Sequence, residues 1–129
     1  MELLKKIHHV AIICSDYDVS KKFYTELLGF KIEHEVYREE KKSHKLDLSL
    51  NGQYVIELFS FVDPPRRASW PEARGLRNIA FEVNNIIEVT DYLKTKTIYF
   101  EPIRTDEFTH KKFTFIFDPD GLPIELYEK

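Results

Sequence analysis

Apolar residues recur along this chain in two alternating patterns, and the order of those patterns is repeated in its two halves. An apolar run over 7–14 predicts a first strand, and Val19, Phe23, Tyr24, Leu27 and Leu28 follow at helical spacing. Ser15 or Asp16 suits the N-cap of that helix, and Gly29 suits the left-handed position at its end. Three strands are predicted next, at 30–38, 44–50 and 53–60, with Asn51-Gly52 as the hairpin turn before the last. The second half gives a strand at 76–83, then a helix capped by Asn84 or Asn85 with a stripe of Ile86, Val89 and Leu93. Strands at 97–104, 111–117 and 122–128 complete it, the last entered through Asp118-Pro119-Asp120-Gly121.

The halves also match residue by residue. His9-Val10-Ala11-Ile12 resembles Asn78-Ile79-Ala80-Phe81, and Ile56-Glu57-Leu58 recurs as Ile124-Glu125-Leu126. Glu57 lies 48 positions after His9 and Glu125 lies 47 after Asn78, so each pair predicts the other and an internal duplication follows. The expected architecture is α+β, two tandem βαβββ modules over about 5–62 and about 75–129, forming one domain over 1–129. A linker over about 63–74 carries Pro64, Pro65 and Pro71 together with Arg66, Arg67 and Trp70.

Side chains on a strand alternate between faces, which sorts the candidate residues. Tyr54, Ile56 and Leu58 form one apolar row and leave Val55, Glu57 and Phe59 opposite. Leu46, Leu48 and Leu50 oppose Lys45, Asp47 and Ser49, and Phe113, Phe115 and Phe117 oppose Lys112 and Thr114. On the first strand Val10 and Ile12 meet the helix, while Ile7, His9, Ala11 and Ile13 turn away. Glu57 and Glu125 thus stand in mid-strand among apolar neighbours, where a carboxylate needs a cation, a hydrogen-bond donor or water. Two readings stay open: a bound divalent cation between them, with a histidine as companion ligand, or two glutamates solvated on an open sheet face.

Composition narrows the class. The 129 residues are 43% hydrophobic and 14% aromatic, enough for a core, and 19 basic against 22 acidic residues leave a net charge of -3. No basic field is present to hold a phosphate backbone, so nucleic acid is not an expected partner. The apolar run over 7–13 is interrupted by two histidines and is far shorter than a membrane span, so no membrane partner and a cytoplasmic location are expected. Cys14, the single cysteine, reads as a buried inert thiol.

These residues together resemble the vicinal oxygen chelate superfamily, which includes glyoxalase I, methylmalonyl-CoA epimerase, fosfomycin and bleomycin resistance proteins and extradiol dioxygenases. The resemblance rests on His9-Val10-Ala11-Ile12, Phe23-Tyr24, Leu28-Gly29-Phe30, Ile56-Glu57-Leu58, Phe117-Asp118-Pro119-Asp120-Gly121 and Ile124-Glu125-Leu126. It implies a mixed sheet curled around a cavity and a metal held by His9, Glu57, Asn78 and Glu125. The third of these positions is commonly histidine, and a neutral amide oxygen is a weaker ligand than imidazole for zinc, nickel or iron. The implied activity is that of a glyoxalase-like lyase, isomerase or epimerase. One divalent zinc, nickel, manganese or iron ion per site would assist proton transfer on a small molecule with vicinal oxygens, with Glu125 and Glu57 as catalytic carboxylates. The alternative is a metal-free small-molecule binding protein of the drug-sequestering type. A homodimer is implied as well.

Other polar residues carry lesser expectations. His8 is expected to point away from His9 as a structural histidine, and His34, His44 and His110 to face solvent. Arg38, Arg77 and Arg104 can bind a carboxylate or phosphate on a substrate, against the ordinary alternative of surface arginines. Tyr37 and Asp47 are candidate cavity-lining residues.

Overall fold

Each half folds around the face of its sheet that a helix covers. The computed structural model describes residues 1–129, which divide into two compact units, Met1–Pro65 and Arg66–Lys129. The first holds β1 (Val10–Cys14), α1 (Tyr17–Lys22), β2 (Lys31–Arg38), β3 (Ser43–Leu50) and β4 (Gln53–Ser60). The second holds β5 (Ile79–Val83), α2 (Ile86–Thr95), β6 (Arg104–Thr105), β7 (Lys112–Phe117) and β8 (Pro123–Glu128). The sheets are open and mixed, ordered β1-β4-β3-β2 and β5-β8-β7-β6, with β1 parallel to β4, β5 parallel to β8, and the remaining pairs antiparallel. Both units are therefore βαβββ modules, and the class is α+β.

The helix signals act as expected at their starts. The Asp16 carboxylate accepts from the Val19 amide at 3.1 Å, and the Asn85 side chain accepts from the Glu88 amide at 3.0 Å. The first helix ends differently from the regular helix that its apolar spacing predicts. Over Phe23–Leu27 it widens into a π-helical turn, with the Leu28 amide reaching the Phe23 carbonyl at 3.1 Å. Gly29, at φ +82°, then lets the Phe30 amide bond the Tyr24 carbonyl at 3.0 Å. Tyr24 is fully buried by this turn, whereas Val19, predicted on the apolar stripe, is half exposed.

The core of the first unit is Ile12, Tyr24, Phe30, Leu46, Leu48, Ile56 and Leu58; that of the second is Ile86, Leu93, Ile116, Ile124 and Leu126. Full burial of such a side chain stabilises by about 1.5–3 kcal/mol.

The strands depart from the faces and bounds read from the sequence in several places. Between Leu48↔Ile56 and Ser49↔Tyr54 the β3–β4 register shifts by one residue, a β-bulge that returns Tyr54 to the face of Glu57 and away from Ile56 and Leu58. On β7 the helix-covered side is Thr114 and Ile116, both fully buried; Phe115 stands opposite Glu125, so the phenylalanine row lies on the uncovered face. β1 and β5 begin at Val10 and Ile79, three residues later than predicted. The β4 bulge stops the first ladder, and Pro123, which has no amide hydrogen, stops the second at the position facing Asn78. The strand predicted over 97–104 shrinks to Arg104–Thr105 because Pro102 breaks the donor row. Before it, Glu101 ties the segment to β7, its amide donating to the Phe115 carbonyl at 3.0 Å.

Candidate functional site

On the uncovered face of the first sheet, Glu57 pairs in register with Ala11, and His9 lies two residues before Ala11 on the same face. His9 Nε2 and Glu57 Oε1 come within 3.6 Å, their side chains 35% and 16% exposed. The Tyr54 ring stacks on His9 with centroids 5.0 Å apart and planes inclined by 17°. Its hydroxyl hydrogen is shared between Asp47 Oδ1 at 3.1 Å and Glu57 Oε2 at 3.2 Å. Lys45 completes the group, with Nζ 2.8 Å from Asp47 Oδ1 and 3.4 Å from Glu57 Oε2. Its hydrogen bond to Asp47 raises the Lys45 pKa, and burial, then the charges of Asp47 and Glu57, push that of Tyr54 well up. Lysine charged and tyrosine neutral are thus the forms that the cluster holds.

Asp47 therefore lies on this face beside Glu57, whereas Tyr54, the residue that joins them, was missed. The signal for it was the bulge, and one inserted residue leaves no trace in the alternation of apolar side chains. His8 also departs from expectation. Its Nδ1 lies 2.8 Å from His9 Nδ1, so the two rings meet instead of pointing to opposite faces. His44 is not solvent-facing either: it stacks on Tyr17 at 4.1 Å, lies against Tyr37 at 4.7 Å and approaches Ser60 Oγ at 3.3 Å. His34 is 64% exposed, 4.0 Å from Asp47, and His110 is exposed on a turn. Arg38 donates to Ser43 Oγ at 2.7 Å, its guanidinium 4.8 Å from the Phe59 ring centroid. Cys14 is buried and donates to the Phe59 carbonyl at 3.3 Å.

The second unit repeats the arrangement. Glu125 pairs with Ala80, and Asn78 lies two residues before Ala80, the relation His9 bears to Glu57. Asn78 Oδ1 accepts from Arg77 Nη1 at 3.3 Å, and Arg77 Nε is bound by Glu72 at 2.9 Å. That bond to Glu72, with the nearby charges of Glu125 and Glu101, raises the Arg77 pKa further. On the uncovered face here lies a cavity of about 160 Å³ lined by Arg67, Trp70, Arg77, Arg104, Phe115 and Phe117, among others. Residues 66–74, predicted as linker, belong to this unit and supply part of the cavity wall.

The His9–Glu57 pair has the spacing of two ligands on a divalent ion. Two ligands each bound at about 2.0–2.2 Å stand roughly 3.4 Å apart at a tetrahedral angle, close to the His9–Glu57 separation of 3.6 Å. Lys45 and Tyr54 engage Glu57 Oε2 and leave Oε1 toward His9. Within neither unit do three His, Cys, Asp or Glu side chains converge on one point, so the four candidates divide two and two.

The chain matches the model of the Glyoxalase/Bleomycin resistance protein/Dioxygenase superfamily over residues 6–126. It is 62% identical to the uncharacterized protein YwkD of Bacillus subtilis, the match covering 98% of this chain and 99% of YwkD. It is 28% identical to a lactoylglutathione lyase of Schizosaccharomyces pombe, over 94% of this chain and 46% of the lyase. A solved structure, that of a glyoxalase family protein from Enterococcus faecalis, superposes with a TM-score of 0.91 at 51% identity, covering 98% of this chain and all of that one. No helix is long and apolar enough to cross a membrane.

Proposed function

Because this chain belongs to the Glyoxalase/Bleomycin resistance protein/Dioxygenase superfamily, we propose that it is a divalent-metal-dependent lyase, isomerase or epimerase acting on a small molecule with vicinal oxygens. The observation that carries this reading is the convergence of His9 Nε2 and Glu57 Oε1 at 3.6 Å, in a register that Asn78 and Glu125 repeat. His9, Glu57, Asn78 and Glu125 would hold zinc, nickel, manganese or iron, Asn78 most weakly because its oxygen already accepts from Arg77. When bound, such an ion polarises paired substrate oxygens and lowers the pKa of the adjacent C–H bond. Glu125 and Glu57 are the groups that accept the proton and return it. At Glu57, Oε1 would alternate between ligand and proton acceptor, since Oε2 is engaged by Tyr54 and Lys45. Distant similarity to lactoylglutathione lyase supports the reaction class. A cytoplasmic homodimer is part of the proposal: a lone free cysteine suits that compartment, and the superfamily resemblance implies the dimer.

One observation favours a second reading. The Lys45 ammonium, 3.4 Å from Glu57, already supplies that carboxylate with positive charge, as a metal-free binding protein requires. Elemental analysis of protein purified without added metal or chelator decides between the two. About one ion per site, lost in a Glu57→Gln, Glu125→Gln double variant, is expected for the enzyme. No metal after incubation with manganese, nickel, iron and zinc would sink it, and metal gained only in Asn78→His would identify Asn78 as the reason.

A further inference from the structure

The cavity of the second unit carries a charge pattern that the metal reading leaves unused. Three guanidinium groups line it, from Arg67, Arg77 and Arg104, against two carboxylates, from Glu72 and Glu101. The three arginines are not equivalent. Arg67 is committed to the wall: its Nε donates to Ser69 Oγ at 2.6 Å, and Nη2 reaches the carbonyls of Leu76 and Arg77 at 3.4 and 3.5 Å. Its charge faces no carboxylate, so the lining keeps a net positive charge. Arg77 and Arg104 are held by Glu72 and Glu101 in exposed ion pairs. Such pairs are weak in water, and an incoming anion can displace them. Arg104 is also kept over Phe113 and Phe115, its guanidinium carbon 5.4 Å from each ring centroid, which fixes the group without consuming its hydrogens.

We propose that this cavity takes a small monocarboxylate with an apolar or aromatic body, received by Arg77 and Arg104 and packed against Trp70, Phe115 and Phe117. The volume, about 160 Å³, suits a body the size of one six-membered ring. Flat aromatic walls suit such a body, and a guanidinium receives a carboxylate through paired hydrogen bonds. Glu72 and Glu101 now occupy those partners, so the cavity already displays the pairing it would offer a ligand. They also select for charge, because a second negative charge on the ligand would meet them. Phe115 stands across from Glu125 on the same face, which places this ligand beside a proposed proton carrier. Naming the ligand as the substrate rests on the function proposed above; its binding does not.

Trp70 is the only tryptophan, so its fluorescence reports occupancy of the cavity. Metal-free protein is titrated with benzoate, with the neutral isostere benzamide and with inorganic phosphate, and the heats are followed by calorimetry. Benzoate is expected to saturate, with benzamide and phosphate each about tenfold weaker or worse. Arg77→Gln and Arg104→Gln are expected to weaken benzoate about five- to tenfold. Glu101→Gln, which releases Arg104, is expected to tighten it about threefold, a gain that a misfolded variant cannot imitate. Benzamide or phosphate binding as well as benzoate, no saturable binding, or weaker binding in Glu101→Gln would overturn the assignment. Metal analysis of the same samples separates the two readings. Benzoate binding without metal uptake leaves this inference standing and removes the metal enzyme; metal uptake without benzoate binding does the reverse.

Discussion

At the scale of single residues, the His8–His9 contact bears on the proposed ligand role of His9. Two Nδ1 atoms at 2.8 Å need one proton between them, on one ring or the other. With the proton on His9 Nδ1, His9 Nε2 keeps its lone pair toward Glu57, the form a metal ligand requires. In that form His8, expected on the opposite face, accepts the hydrogen bond from His9 Nδ1. A second polar cluster lies apart from this one, where Glu35 accepts from Lys21 at 2.7 Å and from the Tyr17 hydroxyl. These hydrogen bonds, Lys21 first, hold the Glu35 carboxyl below its ordinary value of 4.5. The folded chain therefore binds this proton less readily than the unfolded one, so the stabilisation is present above about pH 4.5 and disappears as pH falls through the lower folded value. Tyr17 has the opposite sign: burial and then Glu35 raise its pKa, and its stabilisation is lost as pH rises above the ordinary 10.0. Urea midpoints at pH 7 and pH 3 are expected to fall further in the parent than in Glu35→Gln; equal falls would remove Glu35 from the acid limb.

At the scale of elements, turn chemistry was legible and backbone irregularity was not. Asn51-Gly52 announced the β3–β4 hairpin, and both residues take positive φ, +51° and +79°, as a two-residue turn of this kind needs. Gly52→Ala is expected to destabilise by about 1–2 kcal/mol, because its side chain must enter the left-handed region. No atom lies within 4 Å of the added methyl group, so strain alone would be read in the denaturant midpoint. Strand 53–60 matched Gln53–Ser60 for the same reason: a clear turn fixes where a strand starts. By contrast, the β4 bulge and the π-turn at Phe23–Leu27 each depend on a backbone shift that side-chain identity does not encode. The bulge had the larger consequence, because it moved Tyr54 from the core row to the face of His9 and Glu57. The phenylalanine row of β7 misled in another way. Hydrophobicity marked it as core, yet Phe115 and Phe117 wall a cavity, and the buried partner of Ile116 is a threonine, Thr114, whose hydroxyl is satisfied by the Glu101 carbonyl at 2.6 Å.

At the scale of the whole molecule, the duplication read from spacing organises everything else. The matched Ile-Glu-Leu triplets place Ile56 and Ile124 at equivalent, fully buried positions beneath Glu57 and Glu125. Ile56→Ala and Ile124→Ala are each expected to cost about 2–5 kcal/mol, checked by urea denaturation. A loss below about 1 kcal/mol at either site would mean that the repeat is not the unit of packing. The candidate ligands were legible because each sits in such a repeated triplet or two residues before a paired alanine. Arg67 and Trp70 gave no such sign, because they lie in a proline-rich stretch with no counterpart in the other half.

The outer position of β2 has a last consequence. Eight residues long and exposed along nearly its whole length, it ends the first sheet with one row of amide and carbonyl groups unpaired within that sheet. A strand from another chain could extend the sheet there, the first step toward fibrous aggregation. What opposes it is the sequence of β2 itself: Lys31, Glu33, Glu35 and Arg38 line the edge with both signs of charge, and the register shift after Ile32 twists it. High salt screens those charges, and acid neutralises the glutamates. Solubility at high concentration is therefore expected to fall in high salt or in acid, where those charges are screened or lost.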